Sequence, residues 1–322
     1  MDRTIAMGES KAANASDLRR ALAQGDAMLA GIEPILGHLL SAPDHSLFSD
    51  EIVARVRGML ADLARQVLYN QAEATGERGR DAFAERHGEA LVETFQGSSA
   101  LLLHCHALAI EWQLTQRLEM EAGLDPVLTP LLQKIIADSD PTASSAGMAA
   151  LAAQARFAQS QRRMELPLGE LPGDLFHQTL LSWRHYCGET RSEAVTRAEE
   201  RLRSAYDESA GRQVLLARLL SLAGGSVGRG ALLLDDAGVA IFFTALAGGS
   251  QQPRELAILS SHERQIVRMA LGLHASGLGP ERIDEVLLRL HPGAAPVTGL
   301  DAIGQGEARD LLLDASHRLG QG

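Results

Sequence analysis

The chain has 322 residues, 45% of them hydrophobic and only 4% aromatic, with a formal charge of −11 at pH 7 and a pI near 5.5. This apolar content can bury a sizeable core and excludes global disorder, while abundant Ala and Leu beside scarce aromatics favour helices over strands. The acidic balance, with no Lys/Arg run anywhere, excludes a phosphate backbone as partner, so no nucleic acid is expected.

The first residues, MDRTIAMGESKAANAS, contain no signal-peptide run, and residues 1–15 are expected to be a disordered N-terminus. Ser16-Asp17 then opens a helix with Leu18, Leu22, Met28, Leu29, Ile32, Leu36 and Leu40 at helical steps, broken or kinked at Gly31 and Pro34. Ser49-Asp50-Glu51 caps a second helix with Ile52, Val56, Met59, Leu60, Leu63 and Val67 on one face; Arg55, Arg57, Asp62 and Arg65 are expected on its outer side. A charged, glycine-spaced turn, Gly76 to Gly79, leads to a shorter helix with Phe83, Leu91 and Phe95. Ser98 to Gly123 is the longest apolar-periodic stretch. Leu101, Cys105, Leu108 and Trp112 share a face, while Leu102, Leu103, Ala109 and Ile110 widen the stripe almost all round, as in a helix buried by its neighbours.

Asp125-Pro126 signals a short helix ending near Asp138, and Asp140-Pro141 opens an alanine-rich one. Glu165 to Phe176, with two Pro and two Gly, is the clearest interruption and the expected boundary between a helical lobe of residues 16–165 and another of residues 166–322. Beyond it a helix spans Asp174 to Cys187, and Ser192 opens another in which Glu193/Arg197 and Glu199/Arg203 are set for exposed ion pairs. Helices are also expected over Arg212–Ala223, LLLDDAGVAIFFTALAGG, Ser260–Ser276, Pro280–His291 and Glu307–Leu319. No segment alternates long enough for a strand, and no uncharged stretch reaches the roughly 20 apolar residues of a membrane span. The fold class expected is all-α: stacked helical hairpins in a loosely HEAT-like array, or two helical lobes.

The passage DPVLTPLLQKIIADSDPTASSAGMAALAAQARFAQSQRRMELPLGELPGDLF, Asp125 to Phe176, resembles a bacterial family of all-helical proteins classed only as a domain of unknown function. The likeness covers roughly a sixth of the chain and holds no chemical signature motif. It implies a helical-repeat fold and no activity.

Residues that could carry chemistry are scattered. His104, His106 and Glu111 suggest a metal, but on a helix residues two apart point about 200° away from each other, so the two imidazoles cannot chelate one ion. Asp174-x-x-His177 and Asp314-x-x-His317 only approximate the Glu-x-x-His of di-iron bundles. GGSVGRG, Gly224 to Gly230, lacks the Lys-Ser/Thr ending of a phosphate loop and follows a helical pattern, which reads as an interhelical loop. Ser261-His262-Glu263-Arg264 is similar to the phospho-acceptor stretch of histidine kinases, but the match stops at Ile266-Val267, and Ser260 with Glu263 also makes a capping box by spacing. Cys105 and Cys187, without CxxC spacing, read as reduced, packed thiols of a cytoplasmic protein.

No catalytic set, cofactor or metal site is assigned. The expected function is a cytoplasmic helical scaffold or regulatory module binding another protein, with homo-oligomerisation as a further possibility. The alternative is an enzyme or small-molecule sensor with a polar site between helices around His104, Glu111, His177 or His185; histidine phosphotransfer at His262 is the remote one.

Overall fold

The computed structural model describes residues 2–32, 35–36, 50–188, 193–222, 228 and 230–319. Among them it is all-α, with fourteen helices and no strand. In chain order these are α1 Asp2–Ala30, α2 Asp50–Thr75, α3 Arg80–Gln96, α4 Ser99–Ala122, α5 Pro130–Ile136, α6 Pro141–Arg162, α7 Gly173–Tyr186, α8 Glu193–Ala205, α9 Arg212–Leu222, α10 Leu234–Ser250, α11 Arg254–Leu259, α12 Ile266–Ala275, α13 Pro280–Leu290 and α14 Gln305–Leu319. No helix among the described residues is long and apolar enough to cross a membrane.

Local chemistry explains many of the ends. Asp140 caps α6 by accepting from the Thr142 N–H, with Pro141 at the first helical position. α5 starts one turn later than Asp125-Pro126 suggests. Asp125 accepts from the Val127 and Leu128 amides in a turn outside the helix, and Thr129 with Pro130 supplies the cap that starts it. α1 begins well before Ser16-Asp17, at Asp2, and ends at Ala30, next to Gly31. Pro34 and Ser192, together with most of the 224–230 loop, lie outside the described residues. Both ion pairs expected on α8 form, Arg197–Glu193 at 3.1 Å and Arg203–Glu199 at 2.9 Å.

The chain divides into two compact units that do not follow the sequence order: residues 1–32, 117–138 and 220–322 form one, residues 33–116 and 139–219 the other. In the first, α12 packs on α1, α10, α13 and α14, and α10 also meets α5 and α11. A side-chain network is buried within it: Arg268 donates to Asp26 (3.2 Å from Nε) and to Gln252 Oε1. In the second, α2 packs on α3 and α8, and α3 on α7. Trp112 meets Phe157 edge-on at 6.2 Å, and Phe176 stacks on Tyr206 at 3.9 Å.

Glu165–Phe176, expected as the boundary between lobes, lies inside the second unit, because α2 clamps it. Asp62 Oδ2 accepts from the Leu166 N–H at 3.0 Å, while Gln66 donates to Leu166 O and accepts from Leu168 N–H, both at 2.9 Å. Leu166, Leu168 and Leu171 are buried. Prolines here end helices without freeing the chain. Asp62 is therefore buried, contrary to its expected place on the outer side of α2, as is Arg55, which donates to Gln161 O at 2.6 Å. Limited proteolysis of the wild type is expected to leave Glu165–Phe176 uncut. Asp62→Ala with Gln66→Ala, which removes the clamp at a cost of about 1–3 kcal/mol per orphaned group, should make this the earliest cut within residues 139–219; early cleavage there in the wild type would contradict the clamp.

Candidate functional site

A large concavity in the second unit lies between α2 and α3 and is closed at one side by the turn after α6. The two helices pair because each buries one stripe: Val56, Met59, Leu60, Leu63 and Val67 of α2, Ala84, Leu91 and Phe95 of α3. Their adjoining outer faces form an open groove of about 1330 Å³. Small residues, Gly58 and Ala61 from α2 and Ala84 and Gly88 from α3, keep it wide.

Met164 shapes its edge. It ends α6 in the left-handed region, φ 56°, and the Glu165 N–H reaches back to Ser160 O at 2.9 Å. A Cβ on Gly58 would stand 2.7 Å from the Met164 Cβ and 2.8 Å from its carbonyl oxygen, so only glycine lets this turn lie against α2.

The groove is charged, with its cations internally engaged. Arg65 pairs with Asp62 and, at 3.5 Å, with Glu165, which also holds Arg163 at 2.7 Å. Burial pushes the Asp62 carboxyl up, against the pull of Arg65 and of the Leu166 N–H. The Tyr69 hydroxyl donates to Asp81, which raises its pKa, and Arg80 stands 4.9 Å over the Tyr69 ring. Lining the groove are six carboxylates (Asp62, Asp81, Glu85, Glu89, Glu93, Glu165) against three guanidinium groups (Arg57, Arg65, Arg163). Glu85, Glu89 and Glu93 are exposed and make no ion pair among the described residues.

None of the site candidates His104, Glu111, His177, His185 and His262 lies in this groove. His104 and His106 are both buried in the first half of α4. Glu111, fully buried, is held by Arg212 through two bonds of 2.9 and 2.7 Å; Arg212 also donates to Gln154 Oε1 at 2.9 Å and lies 3.6 Å over the Phe157 ring. That carboxylate holds the interior together and is closed to solvent. His177 is exposed on α7, with Nδ1 3.3 Å from Arg203, and His185 is exposed near the end of the same helix. His262 belongs to the other unit, where its Nδ1 accepts from the Arg264 N–H and caps a 3-10 turn, Glu263–Gln265. Partial burial, then Arg264 and His291, hold its imidazole below the ordinary value. Ser260 makes no capping box; its hydroxyl donates back to Ala257 O at 2.6 Å. No group of three His, Cys, Asp or Glu among the described residues is placed to hold a metal ion. Burial pushes the Cys105 thiol up to about 12 and Cys187 up to about 11, the reverse of what activates a nucleophile.

No family model, curated protein or solved structure matches the chain. The site must therefore be read from its own residues. Its one trace in the sequence is the four-residue interval of Asp81, Glu85, Glu89 and Glu93, which places them on one face of α3.

Proposed function

We propose that the protein is a cytoplasmic helical scaffold or regulatory module that binds another protein, and that the α2–α3 groove is where it does so. The observation that carries this reading is the groove itself: open, kept wide by small side chains, and bordered by exposed carboxylates that make no ion pair among the described residues. A small-molecule site converges a few polar groups inside an enclosed, mostly apolar pocket, whereas a polypeptide segment needs a long open trough with a polar rim. The buried polar group of Glu111 with Arg212 and Gln154 is sealed in the core and offers nothing to a substrate. The helical-repeat fold implied by the resemblance of Asp125–Phe176 agrees with such a role.

The test is affinity capture from the native host with the wild-type chain and with Gly88→Leu as baits. Position 88 has open space around it, so leucine fills the groove without disturbing the core. A partner retained by the wild type and lost by Gly88→Leu is the expected result. Identical captures would refute the groove as the binding surface.

A further inference from the structure

The α2–α3 groove carries two features that weaken the folded chain and that no contact among the described residues explains. The first is the ladder on α3. Asp81, Glu85, Glu89 and Glu93 recur every four residues over roughly 18 Å at 1.5 Å per residue, and like charges at this spacing destabilise a helix. Asp81 is engaged by Tyr69, but the three glutamates face solvent.

The second is Gly88. Glycine inside a helix is less stable than alanine, and it persists where a close approach needs it, as at Gly58 under Met164. Around Gly88 a Cβ would meet nothing within 4 Å. The missing side chain serves no packing among the described residues, yet it keeps a lane open between Glu85 and Glu89 on the groove wall.

Building on the partner-binding reading, we infer that the occupant is a basic polypeptide segment: an amphipathic helix with Arg or Lys at four-residue intervals. Its cations pair with Glu85, Glu89 and Glu93, and its backbone lies close over Gly88, between Ala61 and Val92. Charge complementarity selects this partner. Six carboxylates against three guanidinium groups, in a chain of net charge −11, repel nucleic acid and acidic peptides and attract a cationic chain. A matching helix repeats its cations every 6 Å or so, the same rise as the glutamates.

The probe is a dye-labelled, alanine-based peptide of about 15 residues, long enough to span the ladder, with arginine at every fourth position; a second peptide has glutamate in place of arginine. Anisotropy is read for the full chain at about 0.05 M and about 0.5 M salt. The wild type should bind the arginine peptide, more weakly at high salt, and ignore the glutamate peptide. Glu85→Gln/Glu89→Gln/Glu93→Gln should weaken binding at least about tenfold. Gly88→Leu should weaken it similarly while melting at or above the wild-type temperature, which separates a blocked groove from a damaged fold. Equal binding by the triple variant, absence of wild-type binding, or displacement of the peptide by an equimolar polyamine would overturn the inference. If the triple variant still captures the partner that Gly88→Leu loses, the groove binds a protein and the basic segment is wrong. If Gly88→Leu captures the same proteins as the wild type, the underlying reading fails whatever the peptide does.

Discussion

Arg212→Ala is expected to lower the unfolding free energy by about 3–5 kcal/mol. The guanidinium is buried and holds both carboxylate oxygens of Glu111, a side chain with no solvent exposure, while donating to Gln154 and lying on the Phe157 ring. Removing it leaves a carboxylate in a medium that cannot solvate it, besides the cavity and the lost stacking. Since whole domains are stable by only about 5–15 kcal/mol, the variant should unfold at markedly lower urea concentration than the wild type. Replacing both partners, Glu111→Met with Arg212→Met, removes the unpaired charge and should recover most of the loss. Urea titration of Arg212→Ala and the double variant decides it. A double variant as unstable as Arg212→Ala would mean that the pair contributes through shape and not through charge.

Gly238→Ala is the counterpart in the other unit. α10 contains one residue with non-helical backbone angles, Gly238 at φ 69° and ψ 169°, a conformation accessible essentially to glycine alone. A Cβ there would stand 2.3 Å from Cγ2 of Thr129, the residue that caps α5. Backbone strain of about 1–3 kcal/mol and overpacking of about 1–3 kcal/mol predict a total loss of about 2–6 kcal/mol. The two causes can be separated, because Thr129→Ser deletes Cγ2 and keeps the hydroxyl that accepts from the Leu132 N–H. In that background the steric part should vanish and the backbone part remain. A Gly238→Ala variant as stable as the wild type in thermal melts would show that α10 can straighten.

Features set by neighbours in sequence were readable in the letters. The Asp140-Pro141 start and the two α8 ion pairs depend on groups within one helical turn, and the helical step of the apolar residues showed the all-α class. One helix start moved: Asp125-Pro126 signals it, yet the cap of α5 is Thr129, whose side chain stands against Gly238. Long-range partners were invisible. Glu111 on an apolar helix suggests a site until Arg212, 101 residues away, neutralises it, and Asp62 reads as a surface residue until the Leu166 amide, 104 residues away, turns it into a clamp. For the same reason Glu165–Phe176 looked like a boundary. As for the groove, the acidic interval on α3 is in the sequence, but the trough beside it exists only once α2 and α3 have paired and Met164 has folded over Gly58.

The central claim, that the groove and not the buried polar set carries function, is tested most directly by capture from the native host with three baits: wild type, Gly88→Leu, and Glu111→Met/Arg212→Met. Quantitative mass spectrometry should find one partner at wild-type level with the core double variant and strongly depleted with Gly88→Leu. The opposite pattern, with the partner kept by Gly88→Leu and lost by a folded Glu111→Met/Arg212→Met, would contradict the claim and place the function at the Glu111–Arg212 pair.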